Sequence, residues 1–187
     1  AYIQAIAYRG LENDPADQVD AKDFDGPITT QIEQAYQFVM RHMLKPATKT
    51  LGRVEHPQYS QKAIFEAISN AVVHRDYAIH GARIRLMLFA DRLELCVPGA
   101  LPNSMSIESM TAMSLPRNDV LCSILSRIPM PVSGLGRGFI MDKRGAGVDV
   151  ILRESTVLAG RAPIYRTIDD LELQLTIFAA PSPHAQE

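Results

Sequence analysis

The most informative stretch for the fold is residues 60–75, SQKAIFEAISNAVVHR. Its apolar residues recur at intervals of three and four positions: Ile64, Ala67, Ile68, Ala71 and Val72. This spacing places them on one face of an α-helix, and that face must pack against the rest of the protein. The sequence therefore predicts a helix over residues 60–75 with one buried face.

Three runs of alternating apolar and polar residues predict strands on the C-terminal side of this helix. Residues 83–89 and 93–97 alternate, and Asp91-Arg92 between them is short enough for a hairpin turn. Residues 171–178 alternate most regularly. The apolar positions of the three runs share one side of each strand: Ile84, Leu86, Leu88, Leu93, Leu95, Val97, Leu171, Leu173, Leu175 and Ile177. Such alternation is typical of a sheet with one buried face and one wetter face.

Weaker signals place the other strands and loops. Residues 2–9 form a short apolar run without turn residues, which predicts a strand. Residues 10–27 and 46–58 are polar and contain glycine and proline, so we expect loops there. Residues 129–147 contain two prolines and five glycines and are the least regular stretch.

The remaining helix signals are local. A capping box, Thr30-x-x-Glu33, predicts a helix that begins there and is stopped by Pro46. Further helices are expected over residues 104–113, over 118–128 with Asn118 as N-cap, and over 148–158 with Gly160 closing the last turn.

These elements predict an α/β fold, an α+β sandwich in which helices pack on one face of a single mixed, largely antiparallel sheet. Six leucines should share that sheet: Leu86, Leu88, Leu93, Leu95, Leu173 and Leu175. Their buried face should meet Ile64, Ile68 and Val72. We expect one domain over residues 1–180 and a disordered tail over 181–187.

Composition excludes several classes of protein. With 187 residues, 47% apolar and 21% charged, the chain is too apolar to be disordered and fits one domain. Its 19 basic and 21 acidic residues create no overall field for nucleic acid or an anionic membrane. The two cysteines do not form a secreted disulfide scaffold, and no apolar run reaches the roughly 20 residues that span a bilayer. We expect a cytoplasmic fragment of a longer protein, without a membrane partner.

A polar stripe lies beside the apolar face of the predicted helix. Glu66, Asn70 and His74 are spaced by four, so they follow one another along one side of the helix. A carboxylate and a carboxamide one turn apart can hold a hydrated Mg²⁺ and orient a water molecule for phosphate chemistry. The alternative is an ordinary solvated helix face.

Five blocks of sequence together resemble a known family. They are EAISNAVVHRDY at 66–77, DRLEL at 91–95, PGALP at 98–102, Arg117-Asn118, and KRGAGV at 143–148. In order and spacing they resemble bacterial and archaeal transcriptional regulators and RecG-related proteins. The ATP-binding domain of that group is a divergent relative of the gyrase/histidine-kinase/MutL (GHKL) ATPases, which have the Bergerat fold. The resemblance covers residues 1–180.

The resemblance implies a nucleotide site that binds ATP with Mg²⁺. It places Glu66 as general base, and Asn70 as Mg²⁺ ligand and nucleotide contact. The other nucleotide contacts that it implies are His74, Gly99, Arg117, Asn118, Lys143, Gly145 and Gly147. Gly145 and Gly147 precede a predicted helix, where backbone N–H groups can approach a phosphate. The adenine block of the superfamily, Asp-x-Gly-x-Gly, here reads VPGAL at 97–101, without the Asp or the second Gly.

The sequence thus favours an ATP-binding domain of a transcriptional regulator, with weak Mg²⁺-dependent ATPase activity. DNA would be reached only through other domains, and the domain could form a homodimer. The alternative is a degenerate, non-enzymatic GHKL-like module for dimerisation or scaffolding. A third hypothesis is a zinc hydrolase built on His74, Asp76 and His80. The basic residues Arg127, Arg137, Lys143 and Arg144 either steer an anionic ligand or form a solvated loop.

Overall fold

The computed structural model describes residues 2–43, 47–50, 52–55, 57–102, 105–111, 115–142 and 145–181. The strands are β1 Ile3–Tyr8, β2 Gln18–Phe24, β3 Ala47–Thr50, β4 Gly52–Glu55, β5 Ile84–Leu88, β6 Arg92–Pro98, β7 Ile164–Ile168 and β8 Glu172–Phe178. The α-helices are α1 Ile28–His42, α2 Gln61–His74, α3 Asp119–Leu125 and α4 Gly147–Ala159. Short 3₁₀ turns lie at Pro15–Asp17 and Glu108–Thr111.

Six of the strands form one sheet in the order β2-β1-β5-β6-β8-β7. The pairing of β1 with β5 is parallel, and the other four pairings are antiparallel. Strands β3 and β4 pair with each other as a separate hairpin. The prediction of a mixed, largely antiparallel sheet is confirmed.

Helices cover one face of this sheet and enclose the main core. Five of the six predicted leucines lie in that core with Ile64, Ile68 and Val72, as expected: Leu86, Leu88, Leu93, Leu95 and Leu175. The sixth, Leu173, lies in β8 opposite Val97 and is half-buried. The opposite face carries a small second cluster, in which the rings of Tyr8 and Phe89 stack 5.1 Å apart.

Helix α2 is the central element of the helical layer. The Ser60 hydroxyl caps it by accepting a hydrogen bond from the Ala63 N–H, and the helix ends at His74. Its residues contact α1, α4 and β6. The predicted helix over residues 60–75, with its buried face, is therefore confirmed.

Four strands lie where loops were expected, or where no element was predicted. Strand β2 lies within residues 10–27 and is an edge strand with mostly exposed side chains, so it shows no apolar alternation. Strand β7 is the opposite edge of the sheet; two of its five residues are exposed and the other three are half-buried. The hairpin β3–β4 occupies most of residues 46–58. The loop predictions for residues 10–27 and 46–58 are therefore wrong.

Several predicted helix ends also differ from the structure. Helix α1 begins at Ile28 after Pro27 and has no side-chain cap, so the Thr30 capping box does not form. The described part of residues 104–113 holds only the 3₁₀ turn at Glu108–Thr111. Helix α3 ends at Leu125, whereas α4 matches its prediction and ends at Gly160 in a left-handed cap. The predicted tail lies outside the described residues beyond Pro181.

Among the described residues, no helix is both long enough and apolar enough to cross a membrane.

Candidate nucleotide site

A cavity of about 350 Å³ lies between α2, the C-terminal half of the sheet and the start of α4. Its walls are largely apolar side chains from the sheet and from α4: Leu95, Val97, Leu173, Leu175, Val148 and Ile151. Mostly apolar walls with a few polar groups are typical of small-molecule sites. Which polar groups reach this cavity therefore decides its chemistry.

The polar stripe of α2 faces this cavity. Glu66, Asn70 and His74 all line it, so the interpretation of a solvated helix face is wrong. Glu66 is only 4% exposed, which is unusual for a carboxylate. The four-residue spacing thus brings a carboxylate, a carboxamide and an imidazole to one side of the pocket.

The first residue of α4 closes one end of the cavity. A β-carbon at Gly147 would lie 2.6 Å from Glu66 Oε1 and 2.5 Å from Asn70 Nδ2. Only glycine allows this approach, so the backbone at the start of α4 packs directly on the two polar side chains. Gly145 also lines the cavity. The structure therefore brings Gly145 and Gly147 together with the polar stripe of α2.

The stretch VPGAL at 97–101, which corresponds to the adenine block, closes the other end. Gly99 has φ +114°, and a β-carbon there would lie 2.8 Å from the Asp76 β-carbon. The Asp76 N–H donates to the Pro98 carbonyl over 2.8 Å. These contacts pack the end of β6 against the residues that follow α2.

Arg117 fixes the segment that follows β6. Its Nη1 lies 3.1 Å from Asp76 Oδ2, and its Nη2 donates to the Ala100 carbonyl. The side chain also lines the cavity. Arg117 thus places a positive charge on the same wall as His74.

Asn118 is the one described residue of the predicted set that does not line this cavity. Its Nδ2 donates to the carbonyls of Val73 and Arg75 over 2.7 and 2.8 Å. It therefore anchors α3 to the end of α2, and its side chain makes no N-cap hydrogen bond. That Asn118 contacts the nucleotide stays a prediction. Lys143 lies outside the described residues.

Burial governs the charges of the site. It raises the pKa of Glu66, an effect to which Asp142 adds, whereas the ion pair with Arg137 lowers that pKa. Burial also lowers the pKa of His74, as does the nearby charge of Arg117. At neutral pH His74 is therefore an uncharged imidazole that can donate one hydrogen bond and accept another.

Two further polar residues belong to the site. Tyr165 of β7 lines the cavity, and its pKa is raised by burial and by the charge of Glu66. Arg137 donates a hydrogen bond to Glu66. The sequence does not single out Tyr165, because β7 shows no clear alternation, although its β-branched and aromatic residues favour a strand. Arg137 appears in the sequence only as part of a basic loop.

A metal site formed by side chains alone is not present in the described part of the chain. No group of three or more His, Cys, Asp or Glu residues there could hold an ion. His74, Asp76 and His80 are all described and do not form such a group. The zinc hydrolase hypothesis is therefore wrong.

Comparison with solved structures shows the fold. The crystal structure of the DIP2311 protein from Corynebacterium diphtheriae superposes with a TM-score of 0.74 at 19% identity. The superposition covers 97% of this chain and 34% of the other, so this chain spans about a third of that protein's length. No curated protein matches the chain.

Comparison with family models gives the relationship. Residues 81–177, more than half of the chain, match the model described as "Putative ATP-dependent DNA helicase recG C-terminal". The matched segment runs from β5 into β8 and includes Gly99, Arg117, Gly145 and Gly147. It is an ATPase-like domain, which indicates ATP binding. The chain therefore belongs to the family that this model describes, the recG C-terminal family.

Proposed function

We propose that this chain is an ATP-binding domain of GHKL type that hydrolyses ATP weakly with Mg²⁺, within a transcriptional regulator. One observation carries the proposal. Seven residues predicted from sequence blocks far apart in the chain line a single cavity: Glu66, Asn70, His74, Gly99, Arg117, Gly145 and Gly147. The recG C-terminal family match supports the same ligand.

The shape of the cavity suggests how the nucleotide lies. Its apolar part, between α2 and strands β6 and β8, suits a flat base. His74 and Arg117 line the cavity together with Gly99, and the neutral imidazole of His74 could accept a hydrogen bond from an adenine amino group, as the missing Asp of the adenine block would. The phosphates would then lie toward Gly145, Gly147 and Asn70, where the start of α4 favours negative charge.

Asn70 fits a Mg²⁺ that is held mainly by the phosphates. Its amide oxygen is a ligand type that Mg²⁺ accepts, and a nucleotide usually supplies several of the remaining oxygens. When bound, the ion neutralises charge on the phosphates during transfer. The side chain of Asn70 would be its protein contact next to Gly147.

Glu66 is the candidate general base. Its carboxylate lies beside Asn70 and Gly147, and its raised pKa makes it a stronger proton acceptor than an exposed glutamate. It would take a proton from the water that attacks the terminal phosphate. Tyr165, from the opposite wall, would contribute a hydroxyl to the same end of the cavity.

A second candidate function is a non-enzymatic module for dimerisation or scaffolding. Two observations favour it. The stretch VPGAL lacks the adenine-binding Asp, and the carboxylate of Glu66 is held in an ion pair by Arg137. In that case the cavity would be a remnant of an ancestral site. Binding and turnover must therefore be measured separately.

The test is calorimetric titration with ATP and Mg²⁺ together with phosphate release. Glu66→Gln should still bind ATP but lose about 100-fold or more in turnover, because the base is removed and the shape kept. Asn70→Ala should weaken binding only when Mg²⁺ is present. Glu12→Gln, on an exposed turn, is the matched control and should behave like the wild type.

Three outcomes distinguish an ATPase, a nucleotide sensor and a scaffolding module. Binding with turnover supports the ATPase, and binding without turnover in any variant supports a nucleotide sensor. Absence of binding by the wild type at millimolar ATP would reject the proposal and leave the scaffolding module.

A thermal-shift panel of ATP, ADP and GTP identifies the nucleotide, since ligand at 100 times its Kd stabilises the fold by about 2.7 kcal/mol.

A further inference from the structure

The candidate base is already engaged by a cation. Arg137 Nη1 donates to Glu66 Oε2, and Arg137 Nη2 donates to the carbonyl of Ile140. The guanidinium carbon lies 5.1 Å from the centre of the Phe65 ring. Arg137 Nε is buried and has no hydrogen-bond partner among the described residues. The guanidinium therefore balances the charge of Glu66, and its Nε–H remains available as a hydrogen-bond donor.

A second cavity, of about 190 Å³, adjoins the first at this ion pair. Glu66, Asp142 and Gly147 line both cavities. The second is also lined by three basic residues: Lys62, Arg137 and Arg153. Glu154 lines it as well, so the second cavity has three basic and three acidic residues. Arg137 thus lies at the boundary between the proposed phosphate end of the nucleotide site and a second, charged pocket.

The chain around Arg137 allows the side chain to move while the backbone stays in place. Leu135 and Ile140 on either side are buried in the main core. The immediate neighbours of Arg137 in the sequence are Gly136 and Gly138, so the side chains that contact its guanidinium come from another element, Phe65 and Glu66 of α2. A change of partner therefore needs a new rotamer of Arg137, and no helix or strand has to unfold.

We propose that Arg137 is a positioning residue that exchanges partners: it holds Glu66 in an ion pair without ligand and pairs with the terminal phosphate when nucleotide binds. This inference rests on the proposed function. A phosphate carries more charge than the carboxylate and accepts two parallel hydrogen bonds from a guanidinium. The exchange would release Glu66 as a base only when a phosphate is present beside it.

The exchange predicts opposite effects for its two residues. Arg137→Gln removes the phosphate contact, so it should weaken ATP binding about tenfold and leave adenosine binding within about twofold. Glu66→Gln removes the competitor for the guanidinium, so it should strengthen ATP binding about threefold. That gain should vanish in the double variant. A merely structural ion pair would give no gain in Glu66→Gln.

The experiment is calorimetric titration of the full chain with adenosine, AMP, ADP and ATP, for the wild type and these variants. Arg137→Lys keeps the charge and should retain part of the preference for ATP, which guards against misfolding of Arg137→Gln. Arg41→Gln, an exposed arginine of α1 outside both cavities, is the control. In parallel, the ¹⁵Nε–¹H resonance of Arg137 should shift with ATP and stay in place with adenosine.

The outcomes for this inference and for the proposed function differ. ATP binding that is equal in wild type and Arg137→Gln, with a stationary Arg137 resonance, overturns the exchange and leaves ATP binding intact. Weaker ATP binding by Glu66→Gln also overturns it. Absence of ATP binding by the wild type overturns both.

Discussion

At position 147, a methyl group would lie within 2.6 Å of Glu66 Oε1 and 2.5 Å of Asn70 Nδ2. Real β-carbons do not approach other atoms so closely, so the buried side chains of Glu66 and Asn70, or the helices α2 and α4, would have to shift. Position 147 is also the first residue of α4, where alanine would otherwise be the better helix former. Sterics and helix propensity therefore predict opposite signs for the same substitution.

We predict that Gly147→Ala lowers the free energy of unfolding by about 1–3 kcal/mol and abolishes ATP binding, because sterics outweigh propensity. Urea unfolding and calorimetry measure the two effects. Gly138→Ala is the matched control, since a β-carbon there meets nothing within 4 Å, and it should change stability by less than about 0.5 kcal/mol. A Gly147→Ala protein as stable as the wild type would contradict the close packing of α4 on α2.

Single residues of the site were predictable to different degrees. Glu66, Asn70 and His74 share one helix, so spacing alone relates them to one another. Arg137 meets Glu66 across 71 residues of chain, and no local pattern encodes such a contact. Tyr165 reaches the cavity only because β7 pairs with β8. Local periodicity therefore predicts the stripe but not the charges placed opposite it.

At the scale of elements, Asn118 decides how α3 meets α2. Its side chain bonds two carbonyls at the C-terminal end of α2, and it does not cap its own helix. As an N-cap, aspartate would serve as well as asparagine. As a donor to two carbonyls, aspartate would fail, because its carboxylate has no N–H to give and would repel them.

We therefore predict that Asn118→Asp lowers the free energy of unfolding by about 1–3 kcal/mol, as expected when buried carbonyls lose their donor. Thermal and urea unfolding measure this. Ser60→Ala serves as the comparison for a true cap and should cost about 1 kcal/mol. If Asn118→Asp were neutral, Asn118 would act as a cap after all.

Elements with two different faces were predictable, and elements without them were not. Helix α2 and strands β5, β6 and β8 each bury one side in the core, so their periodicity is strong. Strands β2 and β7 form the two edges of the sheet; most residues of β2 are exposed, and β7 has no fully buried residue. These two strands form because they pair with a neighbouring strand, and the local sequence does not show which strand is the partner.

For the whole molecule, charge sets the expected partners. With 19 basic and 21 acidic residues, the chain has a formal net charge of −2. Non-specific DNA affinity comes mainly from lysine and arginine neutralising phosphates, and it needs an excess of them on one surface. The chain has no such excess, and the basic residues around the second cavity are matched there by acidic ones.

We predict that this chain does not shift random duplex DNA at submicromolar concentration. Electrophoretic mobility assays over a salt series, with ATP present and absent, measure this. A shift that weakens steeply with added salt would show that the basic residues form a continuous DNA-binding surface. Binding only in the presence of ATP would point instead to an assembly of this chain on nucleotide.

The position of β1 has a consequence for how the molecule folds. The strand comes first in the chain but lies inside the sheet, and its parallel partner is β5, where Ile3 is paired with Ile84. The local hairpin β1–β2 can form early, but the other edge of β1 stays unpaired until the distant strand β5 is present. Bringing β1 and β5 together closes a long loop, and the entropy cost of closing it precedes the stabilising contacts, which slows folding. A newly made chain therefore exposes an aggregation-prone strand edge until β5 has been synthesised and has docked.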